Sequence, residues 1–267
     1  VAGGSYARDA RFVQEKQELT MQDQIIPSTL DPLLAGLSYL VSVLGSFTAL
    51  QLAIGIPSAT NTRDRTLAIA AAGAVMGGGA IWSMHFIAML AWRMDMPVAY
   101  DLPLTLGSAL VAMLSCTAGL AIVGSGIFSA AKLALGGLLM GLGVSGMHYA
   151  GMSAMQMPAT IDYAANIVIL SVVIAIVASI VALWLAFNMR GMGPQVFSAL
   201  IMGIAVCGMH YTGMSAASFR SSDAMAMAGG LSGTSLGVVI FVVVVCLLST
   251  MLWIQKRRQH RRAQIAI

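Results

Sequence analysis

Ser145-Gly-Met-His-Tyr-Ala-Gly-Met-Ser-Ala154 decides how this sequence is read, because the chain carries it in three versions. Cys207-Gly-Met-His-Tyr-Thr-Gly-Met-Ser-Ala216 is a close copy, and Trp82-Ser-Met-His-Phe-Ile-Ala-Met-Leu-Ala91 a diverged one. All three keep Met-His-aromatic-x-x-Met. The histidines stand at 85, 148 and 210, spaced 63 and 62 residues apart, and the remaining histidine is His260 near the C-terminus.

The surroundings of these stretches are oily. Hydrophobic residues make up 58% of the chain and charged residues 9%, against about a quarter charged in soluble domains. This excludes an ordinary soluble fold and indicates an integral membrane protein. Seven apolar stretches are each long enough to cross the hydrocarbon as a helix: Leu33–Ile54, Leu67–Trp92, Leu104–Gly124, Leu133–Met155, Ile167–Phe187, Val196–Ala217 and Leu236–Ile254. Glycines within them, as in Met76-Gly-Gly-Gly-Ala80 and Gly136-Gly-Leu-Leu-Met-Gly-Leu-Gly143, mark places where helices approach closely.

The expected fold is therefore an all-α membrane protein of seven transmembrane helices, three repeated helix pairs plus one extra helix. One period equals an antiparallel pair, so helices two, four and six run the same way with their histidines at similar depth. That predicts pseudo-threefold packing, with His85, His148 and His210 facing a common axis. The first helix is the odd element in this scheme, expected to cap the bundle.

Three regions follow. Residues 1–31 form a polar, partly disordered N-terminal segment without the apolar core of a signal peptide; the first twenty are expected to be dispensable, with Met21 a candidate start. Residues 32–254 are the membrane domain, and 255–267 a basic cytoplasmic tail. Lys256, Arg257, Arg258, Arg261 and Arg262 supply much of the net charge of +4, and such a run after a span reads as a topological anchor, not a nucleic-acid contact. Arg63, Arg65, Lys132 and Arg190 fall on the same side as this tail. The opposite loops hold only Arg93 and Arg220, joined by Arg8, Arg11 and Lys16 of the N-terminal segment. The positive-inside rule then sets the N-terminus outside and the C-terminus inside. Cys116, Cys207 and Cys246 form no spaced pair, which argues against a disulfide framework or zinc knuckle.

An ionisable group inside a membrane is a functional hypothesis by default, and three at equivalent positions strengthen it. Residues i and i+4 share a helix face, so His85 with Met89, His148 with Met152 and His210 with Met214 each project as a pair. Met94-Asp-Met96, Met155-Gln-Met157 and Met225-Ala-Met227 follow in the outer loops. With Met84, Met147 and Met209 they bring twelve of the twenty methionines to the outer ends of the repeats. Imidazole combined with thioether suits copper, above all Cu(I). Zinc would leave the thioethers unexplained, and haem, with two axial positions, would leave a third equivalent histidine without a role. Asp95, Asp101, Asp162 and Asp223 are expected to be solvated loop charges. Cys207, one turn from His210, is read as structural because Trp82 and Ser145 hold its place in the other repeats. Phe86, Tyr149 and Tyr211 are read as packing residues.

Met209-His210-Tyr211-Thr212, with the relaxed copies Met147-His148-Tyr149-Ala150 and Met84-His85-Phe86-Ile87, resembles the MHYT domain family, named for that tetrapeptide. The resemblance covers residues 32–254. It implies a sensory domain of the bacterial inner membrane with seven helices and the three motifs near the outer face. In the family the motif Met and His residues are proposed to bind copper, and through it O2, CO or NO; carried over, these are Met84, His85, Met147, His148, Met209 and His210. Cyclic-di-GMP or DNA-binding modules often follow such domains. Here about a dozen residues follow the last span, so output is expected through a cytoplasmic partner or further sequence.

The leading expectation is a copper-binding membrane sensor of copper or a diatomic gas. Copper transport or delivery is the alternative. Met76, Met140 and Met202 lie about two turns deeper and would suit it, whereas the mostly Ala, Gly and Leu composition beyond them counts against it. No paired carboxylates, nucleophile–base constellation or nucleotide loop occur within the helices, so no enzymatic activity is expected.

Overall fold

The computed structural model describes residues 25–222 and 230–265. Residues 1–24, with Met21, Arg8, Arg11 and Lys16, lie outside the described residues, as do Asp223, Met225 and Met227.

Seven helices are long and apolar enough to cross a membrane: α1 (Pro32–Ser58), α2 (Thr62–Ala91), α3 (Leu102–Gly124), α4 (Ala130–Ser153), α5 (Ala165–Asn188), α6 (Met192–Ser215) and α7, whose apolar part is Gly233–Ile254. The protein is a multi-pass membrane protein. Helices α1 to α4 start where side chains cap free backbone N–H groups. Asp31 accepts from the amides of Leu33 and Leu34, Asp101 from Leu104, Asn61 from Asp64 and Ser129 from Lys132. Gly191, at φ 90°, makes the turn between α5 and α6 in a conformation that other residues rarely adopt.

Helices α2, α4 and α6 form the inner triangle. Around them α3 fills the groove between α2 and α4, α5 that between α4 and α6, and α1 that between α6 and α2. Small residues make these crossings close. A β-carbon at Gly45 of α1 would lie 2.6 Å from Ala80 Cα, one at Gly77 of α2 2.4 Å from the Ala112 carbonyl oxygen, and one at Gly141 of α4 2.5 Å from Ile176 Cα. Without a hydrophobic driving force between helices in lipid, such backbone approach supplies the dispersion energy that holds them. A buried Gln51–Gln195 hydrogen bond of 2.6 Å adds polar glue between α1 and α6.

The first helix does not cap the bundle. It closes the ring, and α7 lies outside against α1 and α2. The sequence repeat, counted from each motif, pairs every inner helix with the helix after it; in space α3 and α5 each pack against both neighbouring inner helices. Composition explains why α1 and not α7 closes the ring. The inward face of α1 carries Ser38, Ser42, Gly45, Ser46 and Ala49, all small, while α7 shows Val238, Phe241, Val242, Val245, Leu248 and Leu252 outward, as suits a lipid-facing helix. The α7 helix runs on to Ile265, so the basic tail continues it.

Antiparallel strands cap the end of the bundle to which the histidines are nearer. β1 (Ser28–Leu30) pairs with β2 (Trp92–Met94); β3 (Ala99–Tyr100) lies between β4 (Met155–Gln156) and β7 (Leu231–Ser232); β5 (Ala159–Tyr163) pairs with β6 (Ala217–Ser221). Residues 25–31 thus belong to the folded cap, tied by the Ile26 amide to the Phe219 carbonyl at 2.9 Å. Two ion pairs brace it: Arg93–Asp31 at 2.6 Å and Arg220–Asp162 at 2.8 Å. At the opposite end, among the described residues, short turns join the helices and α7 extends beyond them.

One helix departs from α geometry. Val75–Trp82 of α2 forms wide π turns, with the Ser83 N–H bonded to the Gly78 carbonyl. Helices α4 and α6 are α-helical throughout.

Candidate metal centre

The inner triangle brings His85, His148 and His210 together on the axis. All three are buried, at 0–1% exposure. His85 Nδ1 lies 3.0 Å from His210 Nδ1 and 3.2 Å from His148 Nδ1. The three rings meet nearly edge to face, with centroids 5.0 to 5.2 Å apart. One ligand nitrogen from each can be chosen so that all lie within 4.8 Å of one another, close enough to hold a metal ion.

The ring edges facing away from this point explain how the cluster is built. A β-carbon at Gly151 would lie 2.3 Å from His85 Nε2, and one at Gly213 2.3 Å from His148 Nε2. Two of the three imidazoles are thus backed by bare backbone of a neighbouring inner helix, and a side chain at either glycine would push the ring off the axis. Both glycines lie three residues after a motif histidine, within the repeated Met-His-Tyr-x-Gly-Met. They carry no donor atom, and the signal that marks them in the sequence is their recurrence at the same place in both motifs.

Donor chemistry fits a cation. None of the three Nε2 atoms has a hydrogen-bond partner, and burial of unpaired polar atoms costs free energy. If the protons sit on Nε2, three Nδ1 lone pairs converge and repel one another unless a positive ion lies between them. Nitrogens about 2.0–2.1 Å from a trigonal ion would be about 3.5 Å apart, near the spacings seen for His85 and its two partners.

Each following aromatic packs edge-on against its own histidine: Phe86, Tyr149 and Tyr211 at 4.8, 4.7 and 5.0 Å between centroids. Tyr149 Oη also bonds Ser171 Oγ of α5 at 2.7 Å. These rings in turn meet the cap, Phe86 against Tyr100 and Tyr149 against Tyr163. Burial raises the phenol pKa of Tyr100, and raises that of Tyr163 to about 12 with a further contribution from Tyr149. Trp82 turns away to bond the Thr105 carbonyl and Ser108 of α3, each at 3.2 Å. Cys207, half-buried, lies outside the histidine cluster.

The predicted methionines Met84, Met89, Met147, Met152, Met209 and Met214 are all buried, at 0–2% exposure. Two of them open onto free space on opposite sides of the centre. Met89 lines an open pocket in the cap with Met94, Asp95, Met96, Tyr100 and Met155, about 560 Å³ in volume. Met209 lines a small apolar cavity deeper in the bundle. Of the acids expected to be solvated, Asp101 caps α3 and Asp162 pairs with Arg220; Asp95 borders the open pocket.

The repeats match a known family description, MHYT, the bacterial signalling protein N-terminal repeat, at residues 78–136, 141–199 and 203–267. The chain belongs to the MHYT family. Each matched unit begins six residues before its motif Met and takes in the motif end of one inner helix with the helix that follows it. Among its relatives is the bifunctional diguanylate cyclase/cyclic di-GMP phosphodiesterase MucR of Pseudomonas aeruginosa, 39% identical over 83% of this chain and 33% of that protein. The cyclic di-GMP phosphodiesterase NbdA of the same organism is 30% identical over 88% of this chain and 31% of its own length. The signaling protein YkoW of Bacillus subtilis is 32% identical over 70% and 24%. The chain thus spans about a third or less of these curated relatives. No solved structure matches it.

Proposed function

We propose that this MHYT domain is a copper-binding sensor of the bacterial inner membrane. Its metal would be held by His85, His148 and His210 near the outer face. Convergence of three buried Nδ1 atoms on one axis is the observation that carries the reading. Met84, Met89, Met147, Met152, Met209 and Met214 are the nearest thioethers in sequence, and this softness favours Cu(I) over zinc or haem iron. Bound Cu(I) would supply a soft Lewis-acid centre at which copper itself, or O2, CO or NO, is the stimulus. The chain's own part is positioning: Gly151 and Gly213 let the rings reach the axis, and the phenyl and phenol rings exclude water from it.

A sensor needs two states that differ in their contacts with the stimulus. Each histidine sits on a different inner helix, so occupation changes how α2, α4 and α6 pack, and those helices run to the cytoplasmic end. There the basic turns and the α7 extension would meet a signalling partner or further domain. The relatives named as cyclic di-GMP enzymes support such an output, with catalysis residing outside this domain.

Copper delivery is the second reading, favoured by the pocket lined by Met89, Met94, Met96 and Met155 at the cap. Elemental analysis of detergent-purified protein beside a His85/His148/His210→Ala variant tests the common core of both. Copper in the wild type alone supports it; equal metal in both overturns it. Uptake of copper into proteoliposomes would then favour delivery over sensing.

A further inference from the structure

Eight residues separate Met140 from His148 and Met202 from His210, whereas nine separate Met76 from His85. In an uninterrupted α-helix one extra residue would rotate Met76 by about 100° relative to its counterparts. The π turns of Val75–Trp82 lie between Met76 and His85 and absorb this residue, since an i→i+5 turn takes in one more residue than an α turn. The result is that Met76, Met140 and Met202 all line one cavity, buried to 0–4% exposure, although their sequence offsets differ. That register is kept twice over, at the histidines and again about 12 Å deeper.

The cavity itself has the character of a soft-ion site. It has room for one water-sized body, a free volume of about 20 Å³, and is lined by Met76, Met140, Met202 and Met209 with alanine, valine, isoleucine and Ser179 of α5. Ser46 of α1 also lines it, and its buried hydroxyl has no hydrogen-bond partner. Met140 Sδ rests at the glycine crossing of α3 and α4, beside Gly119, and its unbranched side chain can re-aim the sulfur without moving the helix.

We infer that Met76, Met140 and Met202, with Met209 between the tiers and Ser46 beside them, form a second site for a soft monovalent cation, Cu(I) or Ag(I), beneath the histidine centre. A thioether set without carboxylate or water selects soft monovalent ions over Zn(II), Mg(II) or Ca(II). The site would accept an ion through Met209, directly next to His210 in sequence. Only Met209 is common to it and the histidine centre; Met76, Met140 and Met202 belong to it alone, so the two fail separately.

The test is Cu(I) and Ag(I) stoichiometry of the full chain in detergent, with X-ray absorption of the bound metal. Wild type should hold two equivalents per chain. Met76/Met140/Met202→Leu should hold one, with the sulfur shell diminished and the nitrogen shell kept. His85/His148/His210→Ala should also hold one, ligated by sulfur without nitrogen. Met202→Leu alone, which keeps volume and fold, should weaken the second equivalent at least tenfold and leave the first unchanged. If either Leu variant binds both equivalents as wild type does, the second site is overturned whatever the histidines do. If the histidine variant loses nothing, the first site falls instead.

Discussion

The first repeat and the other two reach the same axis by different means. In α4 and α6 the motif lies in regular α-helix, and Gly151 and Gly213 give the neighbouring imidazoles their space. In α2 the corresponding residue is Ala88, the ring after the histidine is Phe86 without a hydroxyl, and the helix widens into π turns. Yet His85 is the hub, with Nδ1 within 3.2 Å of both other histidines. Beyond the shared Met-His-aromatic-x-x-Met the letters diverged, and the position of the imidazole was retained.

The glycines give that comparison its hardest test. Gly151→Ala and Gly213→Ala each put a β-carbon within 2.3 Å of an Nε2 atom. Overpacking of this kind costs about 1–3 kcal/mol, and here the ring that must move is the proposed ligand. We expect metal affinity to fall at least tenfold in either variant, with thermal unfolding in detergent shifted down. Gly146→Ala, where the added carbon meets nothing within 4 Å, should change neither. Equal behaviour of Gly151→Ala and Gly146→Ala would remove the claim that backbone approach sets the rings.

Deletion of Gly78 sharpens the contrast between helices. It would shorten the Met76–His85 spacing to that of the other repeats, and a plain α-helix would then present both residues inward. Deletion of Gly143 from α4, which has no wide turn to remove, would rotate one end against the other by about 100°. Metal content should survive the first deletion with a smaller loss and vanish in the second. Similar losses from both would mean that the π turns are not a register device.

Much of this was legible in the chain. Spacing of 63 and 62 residues with one histidine each gave equal depth and direction for α2, α4 and α6, and the structure joins those three side chains. Hydropathy gave seven spans to within a few residues. What spacing could not reveal is which outer helix lies between α6 and α2. The motif repeat runs forward into α7, but packing favours the small inward face of α1. The cap escaped notice because its strands are two to five residues long, as in Ala99–Tyr100, too short for an alternating pattern, and are fixed by pairings far apart in sequence such as Ala99↔Ser232. The π turns escaped for a similar reason: three consecutive glycines announce close packing, whereas the extra residue appears only when Met76–His85 is counted against Met140–His148.

Smaller effects should separate the aromatic positions. Tyr149→Phe makes repeat two like repeat one at Phe86 and removes the 2.7 Å bond to Ser171, which keeps its own bond to the Val168 carbonyl. Interhelical bonds of this kind in membranes average about 0.6 kcal/mol. A slightly lower unfolding temperature with unchanged metal content is expected. A loss of metal would instead give the tyrosine hydroxyl a part in the centre.

The mildest difference lies in the cap, where Asp31 and Asp162 each pair with an arginine but only Asp31 also caps a helix. The Arg93 side chain, then the amides of Leu34 and Leu33, hold the Asp31 carboxyl below its usual value of 3.8. A carboxyl lowered in the folded protein stabilises it fully above the unfolded value, and that contribution fades as pH falls through the lower folded value. Acidification from neutral should therefore leave the β1–β2 pairing intact to about pH 4 and loosen it only below. Asp31→Asn keeps a capping oxygen but loses the charge, so it should show the loosened state at all pH values. Amide hydrogen exchange at Ser28–Leu30 reads this directly. Faster exchange in Asp31→Asn at neutral pH, converging with wild type in acid, is the expected result; pH-independent and equal exchange would show that backbone pairing alone holds this edge of the cap.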